Sequence, residues 1–392
     1  MIRIRLVILI VLDSVGCGGA PDATAYGDEG ADTLSNIARV VGGLDLPNLG
    51  RLGLGNLTTI LGVPPNKNAD GANGRLTEVS AGKDTTTGHW ELCGIVLDHP
   101  FPVYPGGFPG DLIHEFESRI GRKTIGNFPA SGTEIIKDLG EEHCITGKPI
   151  IYTSADSVFQ VAAHEDIIPV DELYRICRIA RDLLQGEHAV GRVIARPFVG
   201  SIGNFLRTER RRDFSLDPPK ETILDVIKTA GQDVIGVGKI EDIFNNRGLT
   251  KSNHTGNNMA GIDAIIELIN SPSTGLIFAN LVDFDALYGH RNDPKGYANA
   301  LITFDGRLPD IVNTMHEDDV LILTADHGND PTFPGTDHTR ERVPILIYGN
   351  IIRKSTDIST RSTFADVAAS IADFLSLSWN GPGTSFVNDV IT

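Results

Sequence analysis

The sequence is poor in cysteine, and the cysteines that it has are isolated. Its 392 residues include four, at scattered positions without CxxC spacing: Cys17, Cys93, Cys144 and Cys177. In a chain of this length, isolated cysteines indicate reduced thiols that fill apolar space. Because reduced thiols are typical of the cytosol, we expect a cytoplasmic protein.

Basic side chains are fewer than acidic ones, which limits the partners of the protein. The chain has 34 Lys and Arg against 51 Asp and Glu, a formal net charge of −17. This balance argues against binding to nucleic acids and to anionic membrane surfaces, so we expect neither as a partner. An anionic small-molecule substrate would need local positive charge from metal ions or from an Arg cluster.

A long hydrophobic run is missing at the N-terminus. Residues 1–12 carry two Arg before a short apolar stretch, which imitates a secretory signal or a lipoprotein signal ending at Cys17. The stretch is too short to span a bilayer, and the residues after Asp13 lack the pattern of a cleavage site. Its β-branched residues instead predict a buried parallel strand.

The remaining composition is that of an ordinary globular protein, with 41% hydrophobic and 22% charged residues,. Apolar runs alternate with helical patterns, which predicts an α/β fold with a mainly parallel sheet covered by helices on both faces. In such sheets the ligand site lies beyond the carboxyl ends of the strands. The predicted strands are 4–12, 233–238, 276–283, 320–325 and 343–348, and the predicted helices are 32–41, 221–230, 258–270 and 295–314.

The middle of the chain predicts a second unit. A loop rich in Pro, Gly and aromatic residues after Asp98 and a segment rich in Arg and Pro at 210–219 mark its borders,. We expect a smaller α/β cap domain, residues 100–216, inserted into a core of residues 1–99 and 217–392, with the two crossings acting as a hinge. Within it the predicted elements are strand 150–153, helix 171–185 and strand 189–195.

Asp and His residues cluster at the predicted strand ends. An isolated Asp there could begin a turn or cap a helix, and a single His is more often structural than a ligand. Carboxylates and imidazoles are nevertheless ligands of Mn²⁺, Zn²⁺ and Mg²⁺-like ions, and adjacent Asp and His at one sheet edge suit a bridged pair of ions. The cluster therefore predicts a metalloenzyme. Its members are Asp13, Asp285, His290, Asp326, His327 and His338.

A run of three threonines supplies a possible nucleophile. The stretch Gly82-Lys-Asp-Thr-Thr-Thr-Gly-His-Trp-Glu91 fails as a phosphate loop, because the required earlier Gly and following Ser or Thr are absent,. A threonine hydroxyl beside a metal ion would be a competent nucleophile, whereas a polar helix cap is the structural alternative. Residue types alone leave Thr85, Thr86 and Thr87 open.

A further group offers Arg and polar side chains that match phosphate oxygens or are solvated surface charges. We expect the whole group to lie in the inserted domain. It consists of Tyr152-Thr-Ser-Ala-Asp-Ser157, Gly191-Arg-Val-Ile-Ala-Arg196, Arg207 and Lys239.

Together these stretches resemble the alkaline phosphatase superfamily, and more closely its prokaryotic-type phosphopentomutases. The resemblance extends over nearly the whole chain, in a fixed order of motifs. Besides those quoted above, these are Asp13-Ser-Val-Gly16, Ala20-Pro-Asp-Ala23, Pro129-Ala-Ser-Gly-Thr-Glu134, Gly191-Arg-Val-Ile-Ala-Arg-Pro-Phe198, Asn280-Leu-Val-Asp-Phe-Asp285 and Thr324-Ala-Asp-His-Gly-Asn-Asp330.

The resemblance implies an alkaline-phosphatase-like core and the transfer of phosphate between O1 and O5 of ribose or 2-deoxyribose. Thr85 matches the phosphorylated threonine of the family, and a sugar bisphosphate such as glucose 1,6-bisphosphate is implied as activator. Two Mn²⁺ ions are implied, one bound by Asp13, Asp326 and His327, the other by Asp285, His290 and His338. The substrate-binding positions implied are Ser154, Asp156, Val158, Arg192, Ile194, Arg207 and Lys239.

Three functions stay open on these residues. The first is a phosphopentomutase that acts on a pentose phosphate. The second is a metal-dependent phosphomonoesterase or a phosphoglycerate mutase of the same superfamily, which the core residues hardly distinguish from the first. The third is a non-catalytic protein that binds metal or sugar phosphate, which an intact ligand set together with Thr85 disfavours. The oligomeric state is not encoded in any of these features.

Overall fold

A computed structural model describes residues 4–154 and 157–391. The chain forms two compact units, one of Met1–His99 and Pro218–Thr392, the other of Pro100–Asp217. Among the described residues, no helix combines the length and apolarity needed to cross a lipid bilayer.

The strands and helices are numbered in chain order. The strands are β1 (Leu6–Leu12), β2 (Ala72–Leu76), β3 (Ile125–Pro129), β4 (Ile150–Thr153), β5 (Val158–His164), β6 (Arg192–Ser201), β7 (Asn204–Arg207), β8 (Arg212–Ser215), β9 (Asp233–Val237), β10 (Lys251–Asn253), β11 (Gly275–Leu281), β12 (Asp319–Thr324), β13 (Val343–Tyr348) and β14 (Thr356–Arg361). The helices are α1 (Thr33–Val41), α2 (Pro47–Leu52), α3 (Thr85–Leu92), α4 (Gly110–Ile120), α5 (Gly132–Thr146), α6 (Val170–Leu183), α7 (Ile223–Thr229), α8 (Ile240–Ile243), α9 (Asn258–Ile269), α10 (Pro294–Thr314), α11 (Asp366–Phe374) and α12 (Val387–Val390).

The first unit is built on an 8-stranded sheet in the order β10-β9-β11-β1-β12-β13-β2-β14. The strands from β10 to β12 are parallel, and β13 is antiparallel to both of its neighbours. Every residue of β1, β11 and β12 is buried. Such fully buried strands are continuous apolar runs because both faces of a parallel sheet are covered.

These observations confirm the predicted fold class. All five strands predicted for the core are present, and the N-terminal apolar run forms β1, in the middle of the sheet. The four predicted core helices correspond to α1, α7, α9 and α10. Each of them begins at a side chain that accepts a hydrogen bond from a backbone N–H of the first turn, namely Asp32, Thr222, Asn257 and Asp293,.

The second unit contains a 6-stranded mixed sheet in the order β3-β4-β5-β6-β7, with β8 paired to β6. A cluster of buried apolar residues from α4, α6, β5 and β6 forms its larger core, and a smaller cluster lies under α5. The predicted strand 150–153 and the predicted helix 171–185 are present as β4 and α6. The predicted strand 189–195 was placed too early, because residues 186–188 form a 3₁₀ turn and β6 begins only at Arg192.

Candidate metal and phosphoryl-transfer site

Three adjacent parallel strands bring distant residues to one edge of the core sheet. The order β11-β1-β12 places Asp13 directly after the central strand, with the segments that follow β11 and β12 on either side. Asp285 lies in a π-helical turn, Phe284–Tyr288, shortly after β11. Asp326 and His327 follow β12 within a tight loop. Because parallel strands end at the same edge, these side chains converge although nearly the whole chain separates them.

The first metal-ligand group consists of Asp13, Asp326 and His327, which are almost completely inaccessible to solvent. Nε2 of His327 lies 3.5 Å from Oδ1 of Asp13 and 3.4 Å from Oδ2 of Asp326. The other oxygen of each carboxylate is held in place: Asn280 donates to Asp13 Oδ2 at 3.0 Å, and the Ser14 N–H donates to Asp326 Oδ1 at 3.1 Å.

In contrast, Oδ1 of Asp13 and Oδ2 of Asp326 are buried and accept no aligned hydrogen bond from the described residues. A buried carboxylate oxygen without a donor is unfavourable unless a cation binds it. Oxygen and imidazole ligands suit divalent ions such as Mn²⁺ and Zn²⁺. The residues of this group therefore fit a divalent metal ion.

The second group consists of Asp285, His290 and His338. Nε2 of His290 lies 3.1 Å from Asp285 Oδ2, and Nε2 of His338 lies 3.4 Å from Asp285 Oδ1. The two Nε2 atoms approach each other to 3.2 Å, and Nδ1 of His290 donates to the Thr336 carbonyl at 2.7 Å. With Nδ1 engaged by a carbonyl, Nε2 is the nitrogen left for a metal ion.

His327 adjoins both groups, a feature that the sequence did not indicate. Asp285, His327 and His338 also lie close enough together to hold an ion, a combination that differs from the second group by one histidine. The ring of His327 lies 3.9 Å from that of His338. Its Nδ1 donates to the Gly328 carbonyl at 3.0 Å, which directs Nε2 towards the carboxylates. The structure therefore brings all six predicted metal ligands together as one continuous cluster.

Negative charge dominates this cluster. Burial raises the pKa of Asp13 to about 7, assisted by the neighbouring charges of Asp326 and Asp285. Burial alone would also raise the pKa of Asp285, but His338 and His290 outweigh it and hold that pKa well below its usual value. The pKa of His327 is raised, because the three carboxylates outweigh the effect of burial. Divalent cations would relieve the repulsion among these carboxylates.

This repulsion predicts that metal binding depends on pH. A carboxylate must lose its proton to bind a metal ion. With the pKa of Asp13 at about 7 in the metal-free protein, we expect Mn²⁺ affinity to fall about tenfold for each pH unit below that value. Calorimetric titrations at pH 8, 7 and 6, in buffers with different ionisation enthalpies, measure both the affinity and the protons released. Equal affinities at pH 8 and pH 6 would contradict the expectation.

The structure distinguishes among the three threonines that the sequence left open. Thr85 is the first residue of α3, and its Oγ1 lies 3.2 Å from Nε2 of His327. The hydroxyl of Thr87 is buried and donates to Oδ2 of Asp84 at 2.5 Å. Asp84 also caps the helix by accepting from the N–H groups of Thr86 and Thr87. The hydroxyl of Thr85 thus lies against the metal ligands, while that of Thr87 is occupied in the cap.

The predicted substrate-binding residues differ in their burial and lie on several different elements of the fold. Val158 and Arg192 are register partners in β5 and β6, so these two lie side by side. Ile194 lies farther along β6 and is buried, whereas Arg207 is exposed at the end of β7. Ser154 follows β4, and Asp156 falls outside the described residues.

Lys239 was wrongly grouped with the inserted domain. It lies in the first unit, directly before α8 and shortly after β9, a strand that neighbours β11. Its positive charge opposes the upward shift in the pKa of Asp13, which places it near the first metal group. The carboxyl edge of the sheet explains this position, since β9 ends on the same side as β11 and β1.

The loops of the site are connected by residues that the sequence did not indicate. Arg340, two residues after His338, is buried and donates to the Gly82 carbonyl at 2.5 Å and to Glu78 Oε2 at 2.5 Å. It thereby connects a metal-ligand loop to the segment that leads into Thr85. Glu341 is buried next to it and accepts from the side chains of both Thr33 and Thr339.

The chain as a whole is similar to known proteins. The family described as "Metalloenzyme superfamily" matches residues 5–379. The phosphopentomutase of Caldanaerobacter subterraneus subsp. tengcongensis is 59% identical, over 99% of this chain and 98% of its own. That of Alkaliphilus oremlandii is 58% identical, over 98% of this chain and 99% of its own. The structure of Leishmania mexicana phosphoglycerate mutase shares the fold, with a TM-score of 0.50 and 14% identity over 98% of each chain.

Proposed function

The chain belongs to the phosphopentomutases of the metalloenzyme superfamily, which are isomerases, and from this membership we propose that it interconverts ribose 1-phosphate, or 2-deoxyribose 1-phosphate, and the corresponding 5-phosphate. The observation that carries the proposal is the 3.2 Å distance between the Thr85 hydroxyl and Nε2 of His327. A nucleophile against a metal ligand is the arrangement that phosphoryl transfer requires.

In the proposed mechanism Thr85 carries the phosphate between substrates. Phosphothreonine 85 gives its phosphate to the free hydroxyl of the pentose monophosphate, forming a pentose bisphosphate and restoring the Thr85 hydroxyl. The bisphosphate then returns its other phosphate to Thr85, so that the phosphate count of the enzyme is unchanged. A bisphosphate such as glucose 1,6-bisphosphate would load Thr85 before the first turnover.

The metal ligands are assigned as the two groups described above. Asp13, Asp326 and His327 would hold one Mn²⁺, and Asp285, His290 and His338 the other. Bound ions of this kind neutralise phosphate oxygens and lower the pKa of a coordinated hydroxyl. The residues themselves supply rigidity. Asn280 and the Ser14 N–H fix the carboxylates of the first group. Backbone carbonyls fix the imidazoles of His290 and His327,.

We assign recognition of the pentose phosphate to the residues that the resemblance to the phosphopentomutases implies. An Arg fork matches the oxygens of a phosphate, and paired polar groups match sugar hydroxyls. The residues assigned are Ser154, Asp156, Val158, Arg192, Ile194, Arg207 and Lys239.

One assay separates this function from its alternatives. With Mn²⁺ and glucose 1,6-bisphosphate, ribose 1-phosphate should yield ribose 5-phosphate, with free phosphate at less than about 1% of that rate because phosphothreonine must be protected from water. Free phosphate as the main product would indicate a phosphomonoesterase. Faster turnover of 3-phosphoglycerate would indicate a phosphoglycerate mutase, and no turnover with any divalent metal would favour a binding protein.

A further inference from the structure

His89 occupies a position that the mechanism so far does not use. It belongs to α3, one helical turn after Thr85, and is completely buried. Its ring lies 5.7 Å from that of Phe278 in β11. Its Nε2 is buried there without a hydrogen-bond partner among the described residues. A buried nitrogen without a partner costs free energy, and a leucine of similar size would not have this cost. A favourable interaction of the other ring nitrogen, Nδ1, must therefore offset it.

That other nitrogen lies between the nucleophile and a metal ligand. Nδ1 of His89 is 2.9 Å from the carbonyl oxygen of Thr85 and 3.0 Å from Oδ2 of Asp326. Both neighbours are acceptors, so Nδ1 carries the hydrogen and Nε2 is the bare nitrogen. The N–H aligns with the Thr85 carbonyl, and its approach to Oδ2 is electrostatic, because Oδ2 accepts no aligned hydrogen bond. One N–H thus links the first turn of α3 to the carboxylate.

The backbone of α3 independently lies against the same ligand. An added Cβ on Gly88 would stand 2.0 Å from the carbonyl oxygen of Asp326. The helix that begins with Thr85 therefore contacts the backbone of Asp326 through Gly88 and its side chain through His89. On the opposite side, the Ser14 N–H holds Oδ1 of Asp326 at 3.1 Å. The ligand is held between β1 and α3.

We propose that His89 is a positioning residue that fixes the Thr85 hydroxyl relative to the Asp326 carboxylate. Its N–H sets the distance between the first turn of α3 and Asp326, and it would hold Oδ2 in place for metal binding. A displacement of about 1 Å between reacting groups lowers a rate about 10²-fold, and loss of an outer partner of a ligand weakens metal binding about 10- to 100-fold. The inference rests on the proposed role of Thr85 as phosphate carrier.

Three substitutions at this position separate positioning from packing. In His89→Asn the side-chain NH₂ comes close to the position of Nδ1, whereas in His89→Gln it reaches towards Nε2. His89→Leu fills the space without any donor. If His89 positions the site, kcat and Mn²⁺ affinity should fall about tenfold in the Asn variant and about 100-fold in the Gln and Leu variants.

The melting temperature should follow the reverse order, because asparagine leaves a cavity and leucine fills it. Affinity is measured by calorimetry on the metal-free protein, and turnover by the coupled assay. Activity and metal affinity that follow the melting temperature, with Leu best and Asn worst, would show that His89 only packs. A Leu variant with wild-type Mn²⁺ affinity and kcat would also overturn the proposal.

A phosphorylation measurement distinguishes this failure from failure of the proposed function. Wild-type protein is incubated with Mn²⁺ and glucose 1,6-bisphosphate, and phosphate on Thr85 is quantified by mass spectrometry. If wild-type Thr85 is phosphorylated and the Leu variant gains phosphate about 100-fold more slowly, the positioning role is supported. If wild-type Thr85 takes up no phosphate, the nucleophile assignment fails and the positioning role of His89 fails with it. If both proteins take up phosphate at the same rate, only the inference about His89 is overturned.

Discussion

Thr85→Ala is expected to lower kcat for the conversion of ribose 1-phosphate at least about 10³-fold, because the substitution removes the atom that we propose carries the phosphate. Mn²⁺ binding should change little, since all six Asp and His side chains assigned as ligands stay in place and only the hydroxyl 3.2 Å from Nε2 of His327 is lost. A large loss of kcat with an unchanged Mn²⁺ affinity is expected for the loss of a nucleophile, whereas the loss of a metal ligand would lower both. Calorimetry with Mn²⁺ and the coupled assay, on the same protein preparation, measure both.

Thr86→Ala is the matched control. Thr86 is the next residue of α3, and the hydrogen bond that caps the helix uses its backbone N–H, which alanine retains. The control should keep kcat within about threefold of wild type, since only a half-buried methyl and hydroxyl are lost. Wild-type turnover in Thr85→Ala, or a collapse of turnover in Thr86→Ala alone, would move the nucleophile assignment to the neighbouring residue.

The core strands could be predicted from sequence because they are buried on both faces. β1, β11 and β12 are continuous apolar runs, so their pattern needs no knowledge of the partner strands,. β2 and β14 gave no such signal. β2 has the sequence Ala-Asn-Gly-Arg-Leu, and β14 is a polar strand at the edge of the sheet. β2 pairs with both β13 and β14, and both lie far from it in the chain.

The ligands of the candidate site were likewise visible, because Asp and His after an apolar run are unusual unless they bind something. The residues that hold those ligands were not. Asn280 lies 267 positions from its acceptor Asp13, and Arg340 lies 258 positions from Gly82. No local pattern encodes such pairs, since ordinary Asn, Arg and His residues have many structural uses. The choice of Thr85 over its neighbours also came first from the resemblance, whereas the structure gives it a physical reason.

Gly88→Ala is the second substitution with a large expected effect, and its reason is purely steric. The added Cβ would lie 2.0 Å from the carbonyl oxygen and 2.8 Å from the carbonyl carbon of Asp326. These are backbone atoms next to a central strand, so they cannot move aside as a flexible side chain would. The helix must retreat instead, and Thr85 with it. We expect a loss of kcat of about 10²-fold or more and a loss of about 1–3 kcal/mol of folding stability.

Gly306→Ala tests whether any glycine in a helix would behave in this way. Gly306 lies in α10, is exposed, and an added Cβ there would meet no atom within 4 Å. Alanine should stabilise that helix by about 0.5–1 kcal/mol and leave kcat unchanged. Thermal unfolding and the coupled assay on both variants compare the two sites directly. If Gly88→Ala matched Gly306→Ala in kcat, α3 would not be fixed against Asp326. The position of Thr85 would then not depend on the close contact between α3 and Asp326.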